Sequence, residues 1–265
     1  RTAHFAQGRF RDLADIAIDA QDGSCWVSDR GFEGLYRIDA EGELATLKAA
    51  VERPGALAID ARDRIGWLAD KGRGRVVWFA LADTDSLELF VVDASFADPV
   101  ALAAQQGGCW IADRAQGRAM LYQTDGSRQI EYRSLSAPVA LAADAEGAAW
   151  LLVDEGRGLL RVDRFGQSLE ADLPFATAVR ISVDEASGSC WALGERDIAV
   201  FSPDGVMEQH WTDVPGGSGL SFDPVHRRAW IGTGSALWKF GADGQTIARL
   251  DGFTSIFRIV VNPGL

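Results

Sequence analysis

Asp15, Arg180 and Arg258 each stand near the start of a short apolar run: Leu13-Ala-Asp-Ile-Ala-Ile, Val179-Arg-Ile-Ser-Val and Phe257-Arg-Ile-Val-Val. A guanidinium donates two parallel hydrogen bonds to a carboxylate or phosphate, and one carboxylate neutralises only one guanidinium. The three positions together therefore offer a place for a small anionic ligand, an acidic side chain or the C-terminus of a protein partner. The alternative is closure within the chain, with Asp15 pairing Arg258 and Arg180 reaching a backbone carbonyl. A second basic set, Arg30, Lys71 and Arg114, directly follows Asp29, Asp70 and Asp113, and Arg73, Arg157 and Arg196 sit in similar surroundings. Exposed charge pairs are worth little, so this outer set reads either as a solvated rim or as a wider ligand-binding surface.

Other chemistries find no constellation. His4, His210 and His226 are scattered and form no metal-ligand spacing, and Gly216-Gly-Ser-Gly219 has the glycines of a nucleophile elbow without its pattern. No metal and no cofactor are expected. Cys25, Cys109 and Cys190 each precede a tryptophan at one equivalent repeat position. Packed sheets lie about 10 Å apart, so cysteines two repeats apart stand roughly twice that distance from each other, beyond the ~7 Å reach of a disulfide. They read as small buried hydrophobes.

The elements that position these residues come from a repeat. Gly23-Ser-Cys-Trp-Val-Ser-Asp29 recurs as Ile65-Gly-Trp-Leu-Ala-Asp70, Gly108-Cys-Trp-Ile-Ala-Asp113, Ala149-Trp-Leu-Leu-Val-Asp154, Ser189-Cys-Trp-Ala-Leu-Gly194 and Arg228-Ala-Trp-Ile-Gly-Thr233. The interval of about 40 residues, with several short strands in each unit and no helical periodicity, is that of β-propeller blades. The first unit predicts strands at 13–19, 25–28, 35–38 and 44–47, joined by Gln21-Asp-Gly23 and Asp39-Ala-Glu-Gly42. Corresponding inner strands begin near Gly55, Val100, Val139, Val179 and Ser218, and the second unit has a longer third connection around residues 83–86.

A further apolar run at 257–262 and a short segment at 3–7 remain over. Propellers close by joining strands from the two termini. The expected fold is therefore an all-β, single-domain propeller over 1–265, with six complete four-stranded blades plus an incomplete seventh position. A six-bladed ring is the alternative. The six repeat tryptophans read as interblade core, each burying about 150–250 Å², which leaves Trp78, Trp211 and Trp238 as candidates for a surface role.

Composition narrows the partners. With 38 acidic and 26 basic residues the formal net charge is −12, which discourages nonspecific contact with nucleic acid or an anionic membrane surface. No apolar run approaches the roughly 18 residues of a membrane span, and no membrane insertion is expected. The chain begins Arg1-Thr-Ala-His, which reads as a processed or trimmed form. The expected location is periplasmic or extracellular.

Pro54-Gly-Ala-Leu-Ala-Ile-Asp60, then Trp67-Leu-Ala-Asp70 and Gly74-Arg-Val-Val-Trp-Phe79, resembles the NHL-repeat pattern, with looser echoes at 118–122 and 158–162. The resemblance implies a propeller that serves most often as a binding or scaffold module and sometimes as an enzyme. Propeller lactonases similar to the gluconolactonase family hold a divalent metal with Glu, Asn and Asp near the axis. The matching positions here are Asp15, Ala56, Ala101, Ala140, Arg180, Gly219 and Arg258, one carboxylate against two cations, which opposes a hard divalent ion. The histidine metal set of the NHL-like amidating lyases is also missing.

Chain direction brings inner-strand starts, second-to-third loops and crossovers to one end of each blade. The expectation is a non-catalytic binding or scaffold propeller taking a protein or small anion on that loop-rich face, through Asp15, Arg180, Arg258, Arg30, Lys71 and Arg114. The competing expectation is a lyase or hydrolase of NHL- or lactonase-like type acting in the axial pocket.

Overall fold

The computed structural model describes residues 9–82, 86–223, 225–241, 243–253, 256 and 258–261. These form six four-stranded antiparallel sheets and two single turns of 3₁₀ helix, Lys71–Arg73 and Asp154–Gly156. The architecture is all-β and six-bladed. No helix among the described residues is long and apolar enough to cross a membrane.

The described residues fall into two compact units, one over 9–116 and 120–129, the other over 117–119 and 130–261. In the first unit, blade one is β1 (Leu13–Ile18), β2 (Cys25–Asp29), β3 (Gly34–Ile38) and β4 (Leu44–Lys48). Blade two is β5 (Pro54–Asp60), β6 (Ile65–Asp70), β7 (Arg75–Ala80) and β8 (Phe90–Asp93), and the unit holds most of blade three: β9 (Pro99–Gln105), β10 (Gly108–Asp113), β11 (Arg118–Gln123) and β12 (Arg128–Tyr132). The second unit contains blade four, β13 (Ala140–Ala143), β14 (Ala149–Val153), β15 (Gly158–Val162) and β16 (Ser168–Ala171). Blade five follows with β17 (Ala178–Val183), β18 (Cys190–Gly194), β19 (Ile198–Phe201) and β20 (Met207–Trp211), and blade six with β21 (Gly219–Asp223), β22 (Arg228–Gly232), β23 (Ala236–Gly241) and β24 (Thr246–Asp251).

The same turn chemistry makes the first hairpin in every blade but the third, where Gln105-Gln106-Gly107 takes its place. In blade one the Asp19 carboxylate accepts from the amide of Gln21 at 3.0 Å. Gly23, at φ +74°, turns the chain so that its amide reaches the Asp19 carbonyl at 2.9 Å. Asp60, Asp144, Asp184 and Asp223 hold their turns in the same way, accepting from Arg62, Glu146, Ala186 and Val225. An Asp at the end of an inner strand is thus turn chemistry written into the repeat.

Packing within each unit follows the tryptophan ladder. Trp26 lies with Phe79 and Leu57 between blades one and two, Trp67 with Ile111 and Met120 between blades two and three, and Trp150 with Phe201 between blades four and five. Trp191 packs on Phe222, their ring centroids 5.0 Å apart. Trp26, Trp67, Trp110, Trp150 and Trp191 are buried, while Trp230 is half-buried under the ammonium of Lys239 at 4.6 Å. The three tryptophans off the repeat also pack on aromatic rings: Trp78 on Phe90, Trp211 on Trp191 and Trp238 on Phe240. A Cβ at Gly244, whose φ is +76°, would collide with the Trp211 indole, so the last turn of blade six lies directly on that ring. Cys109 and Cys190 are buried in interblade clusters. All three cysteines are free, and burial pushes the Cys25 thiol up to about 12.

The long third connection of blade two reaches back to blade one. Ser86 bridges to Lys48 in parallel, Leu87 donates its amide to the Lys48 carbonyl at 2.9 Å, and Leu87 and Leu89 pack on the core behind. Residues 83–85 lie outside the described residues.

The six expected blades are present, and the seventh position is corrected to the six-bladed alternative. Residues 258–261 form no strand, while 257, 262 and the N-terminal segment 3–7 lie outside the described residues. Ile256 and Ile259 instead fill the space over Gly219 and Gly232 in blade six, where the absence of side chains admits them.

Trp67 is wholly enclosed, with its indole nitrogen buried and without a hydrogen-bond partner, whereas the indole of Trp150 donates to the Gly188 carbonyl at 3.1 Å. Trp67→Ala is expected to lower stability by roughly 3–5 kcal/mol in urea denaturation. Trp150→Phe should cost about 1 kcal/mol more than Trp67→Phe, because only the former removes a hydrogen bond.

Candidate functional site

The loop face is built where each second strand ends and the crossover from the preceding blade arrives. A crossover amide has no ladder partner, and a buried amide must find one. In the first unit an aspartate supplies it. The Asp29 carboxylate accepts from the amides of Arg11 (2.6 Å), Asp12 (2.9 Å) and Gly31 (2.8 Å). Asp70 accepts from the amide of Glu52 at 2.7 Å and from Nε of Arg75 at 2.8 Å. Asp113 accepts from the amides of Ala97, Asp98 and Gln116 at 2.9, 3.0 and 3.2 Å. All three carboxylates are fully buried. Gly31 and Gln116 lie in the turns that follow Asp29 and Asp113, so these two carboxylates hold their own turn as well as the incoming segment.

The second unit abandons this device. Asp154 in blade four has its side chain 47 % exposed and is gripped by Arg157 through Nε at 3.0 Å and Nη2 at 2.8 Å, which holds its carboxyl below the ordinary range. Its backbone replaces the carboxylate: the amide of Asp154 donates to the Ser136 carbonyl, and that of Glu155 to Ala137 at 3.3 Å. This geometry puts Ser134, Ala137, Asp154 and Glu155 at φ +65°, +36°, +51° and +56°, a left-handed backbone that non-glycine residues adopt only at a cost. Counted from the repeat tryptophan, Val153, Gly194 and Thr233 stand where the first three blades have the buried aspartate, and Asp154 lies one residue beyond.

The predicted basic residues divide accordingly. Lys71 and Arg114 converge on one carboxylate, Asp98, with Lys71 Nζ 2.5 Å from Oδ1 and Arg114 Nη2 2.8 Å from Oδ2. Burial raises the Asp98 carboxyl, but the hydrogen bonds and charges of Lys71 and Arg114 outweigh it and hold the group below its ordinary value. Arg30 stands apart with Asp12 at 2.9 Å. Half-buried Asp15 accepts from the amides of Ile16 at 2.9 Å and Leu57 at 3.1 Å, tying blade one to blade two. In the second unit Arg180 donates from Nη1 to the carbonyl of Val179 at 2.7 Å, the backbone contact that the closure alternative anticipates for it. Beside it lies the Asp154–Gly156 turn, where a Cβ on Gly156 would collide with the Ala178 carbonyl. Arg196 pairs with Asp213 at 3.1 Å with side chains 69 % and 86 % exposed, and Arg258 is exposed.

Asp12, Asp98 and Asp213, missed in the sequence, partner the predicted cations. Asp12 and Asp98 each directly precede an inner strand, a signal that was available. His210 and His226 lie on an outer strand and in a first-hairpin turn, held by Asp197 at 3.1 Å and Asp223 at 2.9 Å. Among the described residues no group of three or more His, Cys, Asp or Glu is arranged to hold a metal ion.

This architecture defines the class as a six-bladed β-propeller, and solved structures share it. Streptogramin B lyase superposes with a TM-score of 0.78 at 14 % identity, over 94 % of this chain and 86 % of that one. The catalytically inactive His-to-Ala variant of virginiamycin B lyase from Staphylococcus aureus, with quinupristin, gives 0.78 at 12 % identity over 96 % and 88 %. A chain of the nidogen/laminin complex gives 0.63 at 11 % identity over 86 % and 94 %. At these identities the likeness is one of fold. No family model matches the chain, and no curated protein does. The class therefore rests on the blades and not on membership of the NHL family.

Two outcomes follow for the loop face. Asp70→Ala removes the acceptor of a buried crossover amide and of Arg75 Nε, leaving the half-buried arginine its bond to the Ala50 carbonyl, and urea denaturation should show a loss of roughly 1–3 kcal/mol, whereas Asp154→Ala should leave the midpoint unchanged. The Asp98 carboxyl is depressed on folding, so its contribution is present above the ordinary carboxylate range and lost as pH falls through the depressed value. The Tm difference between wild type and Asp98→Asn should be present at pH 7 and shrink progressively as pH falls below the ordinary carboxylate range.

Proposed function

We propose that this propeller is a binding module and that the loop face of its second unit takes a carboxylate or phosphate, carried by a small anion or by an acidic segment of a protein partner. The observation that carries the reading is the state of the ion pairs. Lys71 and Arg114 share Asp98, which is only 21 % exposed and bonded from its backbone to a buried carboxylate. Arg157–Asp154 and Arg196–Asp213 are surface pairs. Such pairs contribute little, so an incoming carboxylate can exchange for Asp154 or Asp213 at small cost while keeping bidentate geometry. The left-handed backbone at Asp154 and Glu155 supports the same place, since strain of this kind persists where the surroundings impose it and clusters at ligand sites. Arg180, adjoining that turn, supplies a further guanidinium.

A lyase is the second reading, and the fold it shares with streptogramin B lyase favours it. Such chemistry needs an acid or base on the binding face. His226 stands in a first-hairpin turn at the opposite end of its blade, whereas His210 is at the loop end, held by Asp197 at 3.1 Å and packed on Phe175. The exchangeable Arg157 and Arg196 pairs are why binding is preferred.

Calorimetric titration of citrate and of inorganic phosphate into wild type, Arg180→Ala, Arg157→Ala and Lys71→Ala tests the reading. Expected is saturable binding that weakens about tenfold or more in the two arginine variants, the worth of a charge-assisted hydrogen bond, with Lys71→Ala unchanged. Binding should also weaken with added salt. Absence of saturable binding, or equal binding by all four proteins, removes the anion site.

A further inference from the structure

Each crossover between consecutive blades carries an apolar residue: Val51, Phe96, Leu135, Phe175 and Val214 in turn. Val51, Phe96 and Phe175 stand three residues before the inner strands that follow them, β5, β9 and β17. Val51, Phe96, Leu135 and Val214 are buried, whereas Phe175 is half-buried. Its ring lies on Gly194, where a Cβ would stand 2.9 Å from one ring carbon and 3.1 Å from two others. Gly194 occupies the place of the buried aspartate of the first three blades, so the ring takes space over the end of β18 that a side chain at 194 would claim. The imidazole of His210 lies beside it, 6.2 Å away between centroids and inclined by 45°.

A second apolar group stands close by. The β17–β18 ladder shifts register between Ala178 and Arg180, and a bulge of this kind re-aims the side chain it holds. Val179 is the residue in the bulge, and it is exposed. Ala178 links both groups to the cations. Its ladder partner is Gly194, under the Phe175 ring, and its carbonyl lies where a Cβ on Gly156 would fall, so the turn that leads from Asp154 to Arg157 rests on it. The Arg180 guanidinium bonds the Val179 carbonyl at 2.7 Å, and the loop after Gly194 carries Arg196 in its exposed pair with Asp213.

We infer that the ligand of this face is a small carboxylic acid with an aromatic body, its carboxylate held by guanidinium and its ring laid on Phe175 and Val179. The inference rests on the anion reading and adds the rest of the ligand to it. Charge complementarity selects the acid, since Arg157 and Arg196 give up only surface pairs to receive it. The apolar surface selects the size. One ring and one isopropyl group match a single aromatic ring, whereas a stable protein interface buries about 800 Å² on each partner. Offset or edge-on contact between the two rings adds to simple burial.

Calorimetric titration of 3-phenylpropionate, acetate, 3-phenylpropionamide and triglutamate, run beside citrate and phosphate, tests it. Phenylpropionate should bind wild type at least about tenfold more tightly than acetate, given the ring it buries, and the uncharged amide should not saturate. Phe175→Leu keeps an apolar side chain in the crossover but removes the ring, and Val179→Ser removes the isopropyl group. Each should cut the preference for phenylpropionate over acetate by about threefold or more while leaving acetate affinity unchanged. Phe165→Ala, which removes an exposed ring from the β15–β16 turn, should change neither. If Phe175→Leu does not fold, Val179→Ser and the wild-type ligand series carry the test. With citrate or phosphate saturable, the inference alone is overturned by phenylpropionate no tighter than acetate, by an amide that binds as well as the acid, by triglutamate that binds more tightly than phenylpropionate, or by a preference intact in both variants. No saturable binding of any anion removes the anion reading itself.

Discussion

The buried aspartate at the end of the second strand is the contact on which the first unit depends. Antiparallel ladders satisfy the backbone inside each blade, but the crossover from one blade to the next arrives with amides that no ladder can take. Asp70 and Asp113 accept them, and Asp29 does the same for the segment entering β1, each fully buried. A carboxylate withdrawn from water is tolerated only when charge-assisted hydrogen bonds replace its hydration, so carboxylate and crossover fix one another. The start of the next inner strand is positioned as a result, and with it the side chains of the loop face.

This use of aspartate changes how the acidity of the chain is read. A formal charge of −12 suggests an acidic surface, yet Asp19, Asp29, Asp60, Asp70, Asp113, Asp144, Asp184 and Asp223 are all buried and bonded to turns, crossovers or arginines. Several hold blade to blade: the second oxygen of Asp60 takes the amide of Gly107 at 3.2 Å, and Asp19 takes the guanidinium of Arg64. Most cations of the first unit are likewise engaged in structure, Arg30 excepted. Surface electrostatics therefore differ from what a count of residue types implies, and exchangeable charge lies in the exposed Arg30–Asp12 pair of the first unit and in the Arg157 and Arg196 pairs of the second.

The repeat itself records the change of role. Where Asp is kept and buried, the crossover is rigidly held and its neighbouring cations are drawn into local pairs. Blade four has Val153 at that place, and at Asp154, one residue on, the backbone takes over the contact, the carboxylate faces outward and left-handed residues appear. Gly194 and Thr233 complete the departure, and Gly216 and Gly217 let the last crossover lie directly against the Glu195 and Gly232 carbonyls. Departures from a repeat mark the places where structure no longer dictates the residue, which is where binding is free to do so.

The repeat of Trp, Asp and turn glycines was sufficient to write down four strands in each of six blades, because turn chemistry and alternation are local and act within a few residues. Burial followed from the common position for five of the six repeat tryptophans, while Trp230 is half-buried. Blade number was not legible to the end, since the run at 257–262 has strand-like composition, and only packing over Gly219 and Gly232 takes its described residues elsewhere. The candidate site was legible as residue types: Asp15, Arg30, Lys71, Arg114, Arg180 and Arg258 were all read from strand and loop positions. Their engagement was not, because Asp98 reaches Lys71 and Arg114 from the following crossover, and Asp15 reaches the amide of Leu57 in another blade. Contacts between residues far apart in the chain depend on how blades pack, and no local pattern encodes them.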